Sequence, residues 1–256
     1  MARTRKPAAT KPPEPIEPKT AKAHRAALVK LIQEASHRSD YRRVFSDFVE
    51  MSAISISNAV DARYRDFREK RYMEIVKTYS PETLALFPKM LGELIMALEV
   101  EPHDALGMIY GEMEISNKHT GQFFTPYELC RMMARMTIDD TMKEKIAATG
   151  YFTVQEPAVG AGATIIALAQ ELRADEINYQ KSMHVVGIDV DLKCVHMCYL
   201  QFALLNIPAI VFHGNTLSME MYSEWATPAH IMGGWWHRIN RKQKEDVQPH
   251  PDEQAA

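Results

Sequence analysis

No stretch of 18 or more apolar residues occurs in this 256-residue chain, so no membrane-spanning helix is expected. The opening Met1-Ala2-Arg3-Thr4-Arg5-Lys6 is basic, but no apolar stretch follows it, and no signal peptide is read there. Cysteine is scarce. Cys130, Cys194 and Cys198 make no CxxC pair, which argues against a disulfide scaffold; buried thiols in a reducing cytoplasm are the expectation. No cluster of His, Cys and Glu has the spacing of metal ligands, so no structural metal is expected. No internal repeat is found.

What is present is enough for a real core, with 46% hydrophobic residues and an ordinary 25% charged. The net charge of −3 is unevenly spread. Residues 1–43 carry eleven Lys and Arg against four acids, a local net of +7. Residues 1–19 include five prolines and few apolar side chains to offset ordering entropy, so this arm is predicted to be disordered. Such an arm can hold a polyanion through phosphate contacts or serve only as a solubilising leader; the residues leave both readings open.

From Ala21 to about Glu99 the apolar residues recur at helical spacing. Ser80-Pro81-Glu82 reads as a helix start, a hydroxyl cap followed by Pro and an acid in the first turn. Leu84 to Leu98 then forms one apolar face, closed by Glu101-Pro102. Near residue 118 the pattern changes to alternating strands and helices. Tyr151–Gln155, His184–Ile188 and Ala209–His213 read as strands, with helices over Ala163–Arg173 and Leu192–Leu205 between them. That order predicts an α/β fold with a parallel sheet and right-handed crossovers.

The best chemical signal is Glu156-Pro157-Ala158-Val159-Gly160-Ala161-Gly162-Ala163, which follows a strand and opens a helix. Small residues let the backbone approach a ligand, and the helix N-terminus offers free N–H groups. Asp189 ends the next strand, where an acid can accept hydrogen bonds from ribose hydroxyls; a surface turn is the plainer role. Asn215, after the third strand, can contact an adenine edge or simply make a turn. No Lys follows the loop as in a phosphate-binding loop, so an adenosine without phosphates fits better than a nucleoside triphosphate.

Asp104-Ala105-Leu106-Gly107-Met108-Ile109-Tyr110, Gly121-Gln122-Phe123-Phe124-Thr125-Pro126, the glycine loop and Gly187-Ile188-Asp189 together resemble the modification subunits of type I restriction-modification systems. These are site-specific N6-adenine DNA methyltransferases. The resemblance covers roughly residues 103–217. It implies a Rossmann-like class I fold dependent on S-adenosylmethionine, here as a partial parallel sheet after an α-helical N-terminal region. The implied organisation is a basic arm at 1–19, a helical region at 20–118, a cofactor-binding domain at 119–236 and a polar tail at 237–256. The resemblance further implies that Phe124, Thr125 and Pro126 pack beside the methionine part of the cofactor. Glu156 takes the place usually held by Asp, beside Pro157; Gly160 and Gly162 are the loop glycines, Asp189 is the ribose acid and Asn215 stands near the adenine. DNA is the implied partner, with a specificity subunit or a homo-oligomer as further candidates and no membrane.

Family members place an Asn/Asp-Pro-Pro-aromatic string after a fourth strand, and no Pro-Pro occurs here after Pro13. The residues after Thr216 are too few to supply the later strands of a full methyltransferase sheet. Residues 225–238 occupy the place of the fourth strand and catalytic loop. Trp235 and Trp236 there are the weak catalytic candidates, able to stack on a base or else to cap the end of a truncated sheet. The alternative to an adenine-specific enzyme is a non-catalytic, DNA-associated cofactor-binding protein that regulates or partners a complete methyltransferase.

Overall fold

The computed structural model describes residues 19–36, 40–115 and 125–247. Six helices come first: α1 (Ala21–Ala35), α2 (Tyr41–Val60), α3 (Arg65–Val76), α4 (Pro81–Leu84), α5 (Phe87–Val100) and α6 (Ala105–Ile115). Then follow α7 (Tyr127–Thr137), α8 (Asp140–Thr149), β1 (Phe152–Glu156), α9 (Ala163–Ala174), α10 (Tyr179–Ser182), β2 (Met183–Asp189), α11 (Leu192–Leu204) and β3 (Ala209–Asn215). β4 (Glu220–Ala226), α12 (Pro228–Met232) and α13 (Trp235–Val247) complete the described chain. The basic arm is outside the described residues up to position 18, as is the end of the polar tail from 248.

Capping chemistry sets several helix starts. Thr20 accepts from the Ala23 N–H, Asp40 from Arg42 and Arg43, and Ser80 from Thr83 with Pro81 in the first turn, as its sequence predicts. Gly150 ends α8 in the left-handed conformation at φ 79°.

The sheet has the order β1-β2-β3-β4. β1, β2 and β3 are parallel, with Glu156 opposite Gly187 and Gly187 opposite Val211. β4 runs antiparallel to β3, placing Trp225 opposite Val211. One sheet face meets α11, where His196 and Tyr199 pack on Trp225. Behind α11 lies the helical region. Arg68 of α3 is buried there, 4.0 Å over the Trp225 ring, and donates to the Glu224 carbonyl at 2.7 Å.

The opposite face is covered at the amino end of the strands. His184 of β2 meets His230 of α12, Nε2 to Nδ1 at 2.8 Å, and its ring lies 5.3 Å from that of Trp235. Arg238 lies 3.8 Å over Trp235 and donates to the Lys181 carbonyl.

Two expectations are corrected here. The fourth strand lies at 220–226 and is antiparallel, because a tight turn at 216–219, with Met219 at φ 59°, sends the chain straight back along β3. Trp235 begins a helix that continues to Val247, so ordered structure runs well into the segment read as a polar tail.

Burial holds His184 neutral, with a pKa of about 3, aided by its neighbour His230; burial likewise lowers His230 to about 4. His196, buried under the helical region near Arg68, is also lowered to about 3. These folded-state values lie below the ordinary 6.5, so the unfolded chain binds more protons than the folded one between them. Stability is therefore full above about pH 6.5 and is lost as pH falls through 4 and 3, at up to about 1.4 kcal/mol per pH unit for each histidine held neutral. Thermal unfolding followed by circular dichroism between pH 7 and 4.5 should show this fall, and His230→Gln should make it shallower. An unchanged acid slope in the variant would contradict the assignment.

Candidate functional site

Three strand ends meet at the carboxyl edge of the parallel sheet, the place where open α/β sheets bind ligands. β1 ends at Glu156 and β2 at Asp189, while β3 reaches Asn215. The loop after β1 is pinned to the end of β2 by two bonds. Val159 N–H donates to the Ile188 carbonyl at 2.9 Å, and Gly160 N–H donates to Asp189 Oδ2 at 2.8 Å. From the third strand, Thr216 Oγ1 donates to the Pro157 carbonyl at 2.6 Å.

The loop glycines have distinct tasks. Gly160 has φ 56° and Gly162 φ 99°, conformations that side chains rarely adopt. A Cβ on Gly162 would stand 2.6 Å from the Phe202 ring, so this position also sets how closely α9 approaches α11.

Asp189 is almost fully buried. Its Oδ2 holds Gly160 and its Oδ1 accepts from Asp191 N–H at 2.9 Å. A carboxylate offers about four acceptor positions, so two remain for a ligand hydroxyl. Glu156 curls back toward α9, accepting from Thr164 Oγ1 at 3.1 Å and from Ala158 N–H at 3.4 Å. Asn215 Oδ1 accepts from Leu217 and Ser218, the turn role left open by the sequence, and no described residue accepts from its amide nitrogen. Around these polar groups stand two apolar side chains that sequence reasoning missed, Val190 at 66% exposed and Leu217 at 97%. Their isolation between polar neighbours hid them in the sequence.

Thr125 and Pro126 lead into α7, which packs along α9 through Tyr127, Cys130 and Ala134. Tyr127 Oη donates to Gln170 at 2.8 Å, and Arg131 pairs with the buried Glu171. Phe124 lies outside the described residues. Burial pushes the Cys130 and Cys198 thiols up, so neither is poised as a nucleophile.

The tryptophan candidates are corrected by their place in the fold. Trp235 is 1% exposed and packs on Tyr151 and His184, at the amino end of the sheet. Along β2, Asp189 lies five positions beyond His184, roughly 16 Å at the rise of a strand. Trp236 follows Trp235 in the same helix and, though 62% exposed, begins from that same far end. Both therefore lie away from the glycine loop, and Trp235 packs against the amino end of the sheet.

The model of the N-6 DNA methylase family matches residues 103–237, more than half of the chain. The protein is a member of the N-6 DNA methylase family. No curated protein matches the chain. Among solved structures, one described as a class I S-adenosylmethionine-dependent methyltransferase from Listeria monocytogenes is similar at 14% identity and TM-score 0.37. The match covers 76% of this chain and 54% of that one. A DrdV–DNA complex is similar at 15% identity and TM-score 0.36, over 86% of this chain and 27% of the other. The methylase chain thus spans about half the length of the first of these structures and about a quarter of the second.

S-adenosylmethionine is the cofactor of the N-6 DNA methylase family. The residues fit it: a buried acid with spare acceptors for ribose hydroxyls, apolar side chains for the adenine faces, and a positive-φ glycine turn where backbone can approach. No described helix is long and apolar enough to cross a membrane.

Asp189→Ala removes the acceptor of the Gly160 N–H, a charge-assisted bond of about 1.5–3 kcal/mol. Calorimetric titration with S-adenosylmethionine should show at least about a tenfold loss of affinity. Gly162→Ala should lower the melting temperature as well, since it forces both an unfavourable φ and a contact with Phe202. Wild-type affinity in Asp189→Ala would remove Asp189 from the site.

Proposed function

We propose that this chain is the cofactor-binding part of a site-specific, adenine-N6 DNA methyltransferase, related to the modification subunits of type I restriction-modification systems. The observation that carries the reading is the glycine loop fastened to the β2 acid, Gly160 N–H to Asp189, within a segment matched by the N-6 DNA methylase family. Asp189 would accept from the ribose, and Val190 and Leu217 would cover the adenine of the cofactor. Asn215 would donate its free amide to that adenine. Phe124, Thr125 and Pro126 would line the methionine side, with Glu156 holding the loop's helix. The bound cofactor supplies a sulfonium methyl. Held there by Asp189, Val190 and Leu217, the cofactor would supply that methyl to N6 of the target adenine, which would give up a proton in exchange. Positioning of an extruded adenine would do most of the work, since no strong base stands at the site among the described residues.

One observation favours partner dependence. β1 is the outermost strand, so the cofactor loop has a neighbouring strand on one side only. In doubly wound sheets the binding crevice lies where strand order reverses, between two halves. Its edge carries no proline, lysine or bulge that would block pairing. On α7, Leu129, Met132, Met133 and Met136 recur at helical spacing and are all exposed. Such a stripe is usual where another chain packs. A specificity subunit, a second copy or a complete methyltransferase would supply the missing wall, and the DNA would reach the basic segment 1–43, which includes the arm at 1–19.

Transfer of labelled methyl from S-adenosylmethionine to unmethylated duplex DNA by the purified chain tests the proposal, with Asp189→Ala as control. Label in N6-methyladenine, absent from the control, is the outcome expected of a self-sufficient enzyme. Cofactor binding without label supports the partner-dependent reading. Label in a base other than adenine, or no cofactor binding at all, would sink both.

A further inference from the structure

Gln201 lies in the middle of α11 and is fully buried, an unusual place for an amide. Its side chain joins three segments that are distant in sequence. Nε2 donates to the Ala161 carbonyl in the glycine loop at 2.8 Å and to Asp104 Oδ1 at 2.8 Å. Oε1 accepts from the Leu106 N–H at 3.0 Å, in the first turn of α6. Asp104 is itself buried, and its Oδ1 also accepts from Gly107 N–H at 2.9 Å. Gly107 has no room for a side chain, because a Cβ there would fall on the Asp104 carboxylate. The same turn reaches the other side of the pocket. Tyr127, which directly follows Thr125 and Pro126, donates its hydroxyl to Gln170 Oε1 at 2.8 Å, and Gln170 Nε2 in turn donates to Glu101 Oε1 at 3.3 Å, with the Pro102 carbonyl 3.3 Å from the same Tyr127 oxygen.

Residues 101–107 are therefore tied on one side, through Gln170, to the start of α7 and on the other side, through Gln201, to the glycine loop. Leaving a carbonyl or amide unpaired in such a core is costly, so the arrangement has few alternatives. We propose that Gln201 is a positioning residue that couples the two walls of the cofactor pocket, the glycine loop and the Thr125–Pro126 segment, so that a ligand meets both in fixed register. The coupling rests on the reading of this pocket as a site for S-adenosylmethionine. It concerns how the pocket is held; Gln201 touches no ligand.

The test is calorimetric titration of the full chain with S-adenosylmethionine and, separately, with adenosine. Adenosine lacks the methionine portion and so engages one wall only. Gln201→Met keeps the length of the side chain and removes its hydrogen bonds. It is expected to weaken S-adenosylmethionine about tenfold or more and adenosine about threefold or less. Leu28→Ala, in the distant core of α1, supplies a destabilised control whose ratio of affinities should not change. Should Gln201→Met fail to fold, Gln201→Asn carries the test, because it keeps a neutral amide in the core but is one methylene too short to reach Asp104, Ala161 and Leu106 together. Equal losses for the two ligands would reduce Gln201 to a structural support of the loop and overturn the coupling, as would no loss at all. A wild type that binds neither ligand would overturn the cofactor site itself, which the variants alone cannot do.

Discussion

The hydrogen bond from Gly160 N–H to Asp189 is the interaction on which the site depends. It joins the loop after the first strand to the end of the second, and it does so with a carboxylate that keeps lone pairs in reserve. One residue thus shapes the loop and remains able to hold a ligand. The remaining contacts reinforce that placement. Ile188 accepts from Val159, Thr216 reaches Pro157, and Gln201 holds Ala161 from behind. A backbone loop rich in small residues has little conformational preference of its own, so its form is set by these fixed partners.

The two ends of the sheet are finished differently. At the amino end, α12 and α13 fold over His184, and Trp235 fills the space between Tyr151 and the histidines. The end is dry and closed, which is why the histidines stay neutral. The carboxyl end is open and ringed by exposed Val190 and Leu217. Among the described strands, β1 stands on the outside of the sheet. A closed end and an open end on one short sheet divide the labour between stability and binding.

The alternation of apolar runs with turn residues made β1, β2, β3, α9 and α11 legible, because each is a local pattern bounded by Pro, Gly or Asp. The glycine loop and Asp189 were legible as a pair for the same reason. β4 was misplaced since Glu220–Ser223 face solvent and show no apolar alternation. Trp235 misled because aromatic residues serve cores and bases alike, and only its position at the amino end separates the two. Gln201 and Asp104 were silent as a unit: 97 residues separate them, and a buried amide in a helix leaves no periodic trace. The tenfold effect expected of Gln201→Met is therefore a claim that only the folded arrangement could generate.

The central claim is that the cofactor sits at the carboxyl edge of β1, β2 and β3. Titration of the 15N-labelled chain with S-adenosylmethionine, followed by amide and indole resonances, tests it most directly. The account predicts shifts at Gly160, Ala161, Gly162, Val190 and Asn215, with the Trp235 indole and the His230 amide unmoved. Shifts gathered instead around Trp235, Trp236 and Arg238, with the glycine loop silent, would contradict it.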